Sequence, residues 1–221
     1  MGTVTLTFDN GPTTATTPFV LQELQRRNLT AYFCVVAEQL LKGEEQVDIA
    51  RQALADGHVL VNHSLTHGVA LGDDPSPEHA AREIKDAHDV LAAKLPAWPP
   101  RWFRPFGRGG ELGPHLLSRT GMAHFADLGY SVLLWNSVPR DWEDPDGWVE
   151  TALAQLRALD HAVVVLHDLA TGAMDHLGYF LDEMLTHHQT TMALPHDCVP
   201  IERGQISWPR AKFQQIVSGS E

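Results

Sequence analysis

Two histidines four residues apart, His63 and His67 in Asn62-His63-Ser64-Leu65-Thr66-His67, are the pair whose spacing most directly suggests chemistry. Positions i and i+4 share a helix face, so two imidazoles placed this way could hold one divalent metal ion from adjacent turns. In a chain with 13 histidines such spacing says little alone, and His176 and the pair His187-His188 read as a solvated helix face. Position says more. His63 follows a strand-like run, as do Asp9-Asn10 after Thr3-Val4-Thr5-Leu6-Thr7-Phe8, and His167-Asp168 after Ala162-Val163-Val164-Val165-Leu166. In parallel α/β folds ligands and catalysis sit at the carboxyl ends of strands, so these polar groups should converge at one mouth.

The elements that must place them alternate along the chain. Val4, Leu6 and Phe8 alternate with threonines, the period of a half-buried strand, and Gly11-Pro12 stops it. Thr17-Pro18 starts a helix that lasts to Asn28, and Ala31 to Val36 reads as a buried strand. A helix from Gln46 to Asp56 ends at Gly57, and His58 to Val61 forms the next strand. Ser76-Pro77-Glu78 is a helix cap followed by Ala80, Ile84, Ala87, Leu91 and Leu95 at helical spacing. The proline-rich connection Pro96 to Pro100 leads to Trp102-Phe103-Arg104-Pro105-Phe106-Gly107, then a helix near Pro114 to Thr120 and a strand from Tyr130 to Trp135. A helix over Gly147 to Leu159, the doubly buried strand Ala162 to Leu166, a helix from Met174 to His187, a last strand near Thr190 to Leu194 and a short helix after Pro209 complete the chain. About seven strands alternating with helices predict a single α/β domain over residues 1–221, arranged as a distorted (β/α)7-type barrel rather than an open doubly wound sheet. No Gly-x-Gly-x-x-Gly follows a strand, which removes the warrant for a dinucleotide fold.

Composition excludes several partners. The formal net charge is −12 and no Lys/Arg cluster offers counterion release, so nucleic acid is not an expected partner. No apolar run reaches the ~18 residues of a membrane span, and no basic segment with an apolar stretch opens the chain, so a cytoplasmic location is the expectation. Cys34 and Cys198 form no disulfide framework. Oligomeric state is not encoded in any pattern found.

Taken together, Thr7-Phe8-Asp9-Asn10-Gly11-Pro12, His63-Ser64-Leu65-Thr66-His67, Arg104-Pro105-Phe106-Gly107, Asp141-Trp142 and Leu166-His167 resemble, in order, the five motifs of the polysaccharide deacetylase family, carbohydrate esterase family four. The resemblance implies a distorted (β/α) barrel that removes acetyl groups from N-acetylated amino sugars or oligosaccharides with a bound divalent metal, Zn2+ first and Co2+ or Ni2+ as alternatives. It implies His63, His67 and Asn10 as metal ligands, Asp9 as the base, Arg104 as its orienting partner, His167 as the acid and Asp141 as the group that keeps His167 charged. Phe106, Gly107, Trp142 and Leu166 would contact substrate, with the backbone N–H near Phe106 on the oxyanion.

The chain departs from the family pattern in three places. Asn10 stands where the family has a ligand aspartate, so the donor set loses a formal charge. The arginine motif is one residue shorter, with Phe106 where tyrosine is common, and Val138 replaces an aspartate ahead of Asp141-Trp142. Two other readings follow: a small-molecule or cyclic-amide hydrolase on the same barrel, of the allantoinase kind, or a sugar-binding pseudoenzyme. His196-Asp197 could supply a replacement ligand at the rim, though a plain turn suits it better.

Overall fold

In the computed structural model, which describes residues 2–99 and 102–219, the alternating threonine segment forms β1 (Gly2–Asp9), buried from Val4 onward. α1 (Thr17–Arg26) carries Pro18 in its first turn, where a missing N–H costs nothing. β2 (Tyr32–Val35), α2 (Glu44–Ala55) and β3 (Val59–Asn62) follow, with Val47, Ala50 and Ala53 of α2 turned into the core. The Ser76 hydroxyl accepts the His79 N–H at the head of α3 (Pro77–Ala80), which continues through a wider π-wound stretch, Ala81–Asp86, into α4 (Ala87–Lys94). The proline connection ends at Pro100, which lies outside the described residues.

Beyond it come β4 (Trp102–Phe103), β5 (Leu117–Ser118), α5 (Arg119–Leu128) and β6 (Ser131–Val132). The helix expected near residues 114–120 therefore begins later. Leu117 and Ser118 are taken into a strand pair, and Ser118, not Pro114, is the helix cap, accepting the Gly121 N–H at 3.2 Å. α6 (Trp148–Arg157), β7 (His161–His167) and α7 (Leu177–His187) match the expected order. The strand expected near 190–194 lies earlier, as β8 (His188–Thr190), because residues 188–190 pair with the start of β1. His188 is accordingly buried rather than on a solvated face, its Nε2 3.3 Å from the Leu156 carbonyl. The hairpin β9 (Ile201–Glu202) and β10 (Gln205–Ile206), α8 (Arg210–Phe213) and β11 (Val217–Ser218) end the described chain.

The main sheet runs β10-β9-β6-β4-β3-β2-β1-β7, with parallel pairing from β6 through β7. β7 lines one edge of β1 from Thr3 to Asp9, while β8 and β2 pair with β1 at Gly2–Val4 and Thr7–Asp9. The chain after β6 stays extended: the Leu133 N–H reaches the Phe103 carbonyl, and Ser137 bridges to Val164 of β7. One segment thus touches β4 at its start and β7 at its end, curling the sheet into the distorted (β/α) barrel. Tyr32, Cys34, Val61, Leu133, Val163 and Cys198 fill its interior, and both cysteines are free. Alternate residues such as Phe8, Phe33, Leu60 and Leu166 face the outer layer of helices.

Candidate active site

Register brings the polar strand ends together. Asp9 pairs with His167 across β1 and β7, and with Cys34 across β1 and β2, while Asn62, just before His63, pairs with Phe103, just before Arg104. Asp9 is 4% exposed, and the fully buried Arg104 donates from Nη1 to its Oδ2 at 3.3 Å and from Nη2 to Thr7 Oγ1 at 3.2 Å. The guanidinium also lies 5.2 Å from the Trp135 ring centre. His63 Nε2 stands 3.7 Å from the same Asp9 oxygen, and its Nδ1 donates to the Arg104 carbonyl at 2.8 Å, which leaves Nε2 as the lone-pair nitrogen.

His67 meets His63 with ring centres 4.7 Å apart, and Phe106 at 4.1 Å. The rings meet as predicted, but not on a helix. Ser64 and His67 have positive φ, 68° and 56°, and the Leu65 and Thr66 N–H groups go to Glu83 instead of up a helical ladder. A turn bends the second imidazole back over the first. Glu83 was not legible in the sequence, where it looks like any polar residue on a helix.

On the facing side, Asp141 is completely buried and accepts twice from His167, at 2.8 Å from Nδ1 and 2.8 Å from the backbone N–H. Trp142 stands edge-on to the His167 ring, 4.7 Å between centres. A cavity of about 240 Å³ joins these groups, with Asp9, Asn10, His63, His67, Phe106, Gly107, Trp142 and His167 on its wall. Val165, Trp135, Val138 and Leu169 add an apolar lining that sequence reading did not assign. Leu166 does not belong there: side chains alternate along β7, so Val165 and His167 face the cavity and Leu166 is fully buried in the outer core. Gly107 lies against Trp135 so closely that a Cβ there would come within 2.4 Å of the ring, so no side chain fits at this point of the wall. His196-Asp197 is a short turn with Asp197 paired to Lys212, and neither residue lines this cavity.

The charge states suit distinct roles. Burial would push the Asp9 carboxyl up, but Arg104, His63, His167 and the Cys34 thiol outweigh it and hold Asp9 below the ordinary carboxylate range. Burial pushes His63 below the ordinary imidazole range and takes His67 down to about 3, so both rings are neutral donors. His167 goes the other way: burial opposes its charge, yet the hydrogen bond and charge of Asp141 prevail and raise it. Next to it Asp168 is fully buried, pushed up to about 6 by burial although Thr17 donates to it at 2.5 Å.

The donor atoms along this wall are of kinds that suit a divalent cation. His63 offers a free Nε2, and Asn10 Oδ1 and Asp9 Oδ1 are buried with no partner among the described residues. No group of three or more His, Cys, Asp or Glu side chains arranged to hold a metal ion occurs among the described residues. Of the residues the family resemblance implies as ligands, His63, His67 and Asn10 bring no formal charge, and Asn10 has a neutral amide oxygen in a left-handed backbone, φ 81°.

A curled parallel sheet with an arginine-held aspartate, paired imidazoles and an aspartate-held histidine at one mouth defines a hydrolase-like barrel. Residues 1–122 match the family model described as polysaccharide deacetylase. A chitooligosaccharide deacetylase of Bradyrhizobium sp. (strain ANU 289) is 32% identical over 168 residues, covering 75% of this chain and 70% of that protein. The chain belongs to the polysaccharide deacetylase family, carbohydrate esterase family four. Among solved structures, a family 4 acetyl xylan esterase from Clostridium thermocellum in complex with a cobalt ion superposes with TM-score 0.62 at 24% identity, covering 86% of this chain and 87% of that one. A mutant of a Bacillus anthracis family pseudoenzyme with restored enzymatic activity gives TM-score 0.70 at 17% identity, covering 85% of this chain and 64% of that one.

Proposed function

We propose that this protein hydrolyses the acetamide of an N-acetylated amino sugar or short oligosaccharide. The observation that carries the reading is one cavity in which Asp9, gripped by Arg104, stands 3.7 Å from His63 while a separately held His167 lines the same cavity wall. The kinship with chitooligosaccharide deacetylases supports the substrate class. The apolar and aromatic wall of Phe106, Trp135, Val138 and Trp142 suits the faces of a neutral sugar, as does the chain's formal net charge of −12, which repels a polyanion.

His63, His67 and Asn10 would hold a divalent cation, which when bound polarises the amide carbonyl and acidifies water. Asp9, kept ionised, takes the proton of the attacking water. Arg104 fixes the plane of that carboxylate by its bonds to Asp9 and Thr7. His167, kept protonated and oriented by Asp141, gives its proton to the departing nitrogen, with Trp142 holding the ring from its edge. A second reading, a sugar-binding protein with an impaired reaction, is favoured by one observation: Asn10 leaves the donor set without a charge. Acetate release from chito-oligosaccharides, measured with zinc or cobalt added and after chelation, decides between them. Metal-dependent release is expected; no release at millimolar metal would sink the hydrolase reading.

A further inference from the structure

The carboxylate of Glu83 lies off the cavity wall yet is only 1% exposed. Its Oε2 accepts the backbone N–H groups of Leu65 at 3.1 Å and Thr66 at 2.9 Å, and its Oε1 accepts the Thr66 hydroxyl at 2.9 Å. Arg82, its ion-pair partner, is 3.8 Å away with a side chain 57% exposed, so the loop's donors are what satisfy this buried charge.

The turn it grips has the unusual backbone. Ser64 and His67 are both left-handed, a conformation that side chains other than glycine hold only where the surroundings impose it. Within the turn, Asn62 Oδ1 accepts the Ser64 N–H at 3.0 Å and Ser64 Oγ accepts the His67 N–H at 3.1 Å. Glu83 anchors the turn from a different element. It sits in the π-wound stretch, and the neighbouring Ile84 carbonyl accepts from Asn62 Nδ2 at 3.2 Å. One widened turn of helix thus delivers two fixed points to the histidine loop, in keeping with the occurrence of π-wound turns at functional sites.

We infer that Glu83 is a positioning residue for His67: its carboxylate locks the Leu65–Thr66 turn in the conformation that lays the His67 ring against His63 and Phe106. With the cation reading of the site, on which this second consequence rests, Glu83 also sets cation affinity without touching the ion. Two measurements keep these apart. In metal-free protein, the His67 ring protons should carry a ring-current shift from Phe106, identified by its loss in Phe106→Leu. Glu83→Ala is expected to abolish that shift and, by calorimetry, to weaken cobalt binding roughly tenfold or more. Glu83→Gln can still accept two N–H groups on its amide oxygen and donate to the Thr66 hydroxyl, so it should keep the shift and bind cobalt within roughly threefold of wild type. If Glu83→Ala does not fold, Thr66→Val, which removes the hydroxyl's bond to Glu83 together with its bond from the Gly68 N–H, should give a partial loss of both signals. An unchanged His67 shift in folded Glu83→Ala, or in Thr66→Val where that variant stands in, would overturn the inference, as would Glu83→Gln being as damaged as Glu83→Ala. Wild-type protein that takes up no cobalt at millimolar concentration would instead defeat the cation reading and leave the ring-current shift to decide the role of Glu83.

Discussion

Asn10 and Asp141 are the residues on which the chemistry turns in opposite senses. Asn10 lends a neutral oxygen where a carboxylate would bind a dication more tightly, and its left-handed backbone is one that aspartate also tolerates. Asn10→Asp is expected to raise zinc or cobalt affinity by roughly tenfold or more in a calorimetric titration, while lowering the melting temperature of metal-free protein, because two buried carboxylates then adjoin. Asp141 acts through His167, whose proton it holds above the ordinary imidazole range. On the proposed reaction the acid form of His167 is the working form, so activity should fall as pH rises through the His167 pKa. Asp141→Asn removes the charge that raises this pKa, so the alkaline limb of kcat should move to lower pH and kcat itself fall roughly 10²-fold. A variant whose alkaline limb stays put would disconnect Asp141 from the acid.

At the scale of elements, caps and register carry the argument. Ser118 ends β5 and starts α5 with a buried hydroxyl on the Gly121 N–H, so Ser118→Ala should cost about 1 kcal/mol in urea unfolding, without moving the cavity groups. This cap also marks where sequence reading failed. Pro114 looks like a helix start, but Leu117 and Ser118 pair with Val217 and Ser218, a partner about a hundred residues away that no local pattern reveals. The hairpin from Ile201 to Ile206 escaped for a different reason: its strands are two residues each, too short for a period-two pattern to show. What was legible was what repeats locally: the threonine alternation of β1, the Ser76-Pro77 cap and the apolar run of β7. The histidine pair was found by a spacing rule whose geometry turned out otherwise, since the convergence comes from a left-handed turn anchored by Glu83. Leu166 was misassigned because a motif names residues in sequence, whereas a strand sends neighbours to opposite faces.

For the molecule as a whole, Asp168 links folding to pH. Burial raises its pKa to about 6, above the ~3.9 of an unfolded chain, so the folded state prefers it protonated. The sign follows: the penalty is absent below pH ~4, grows as pH rises towards ~6, and is fully present above that. At neutral pH it amounts to about 3 kcal/mol at most. Asp168→Asn should therefore gain stability over wild type as pH is raised from 4 to 7, measured by urea unfolding across that range. Equal pH dependence in the two proteins would place the effect elsewhere.

The extended run from Ser131 to Ser137 joins the sheet's far side to β7 through a short seam at Asn136 and Ser137, whose N–H groups reach the Val163 carbonyl while the Ser137 carbonyl accepts the Val165 N–H. Such a seam is the natural place for the wall to breathe, and the Val165 amide, bonded to the Ser137 carbonyl, should exchange its hydrogen sooner than the β1 amides bonded to β7. Asp141 and Trp142 hang from the loop just past this seam, while the histidine turn and Arg104 follow β3 and β4 on the continuous ladder. On the proposed roles, proton donation and water activation are thus mounted on different stretches of the sheet, the one beyond the short seam and the other on the longer ladder.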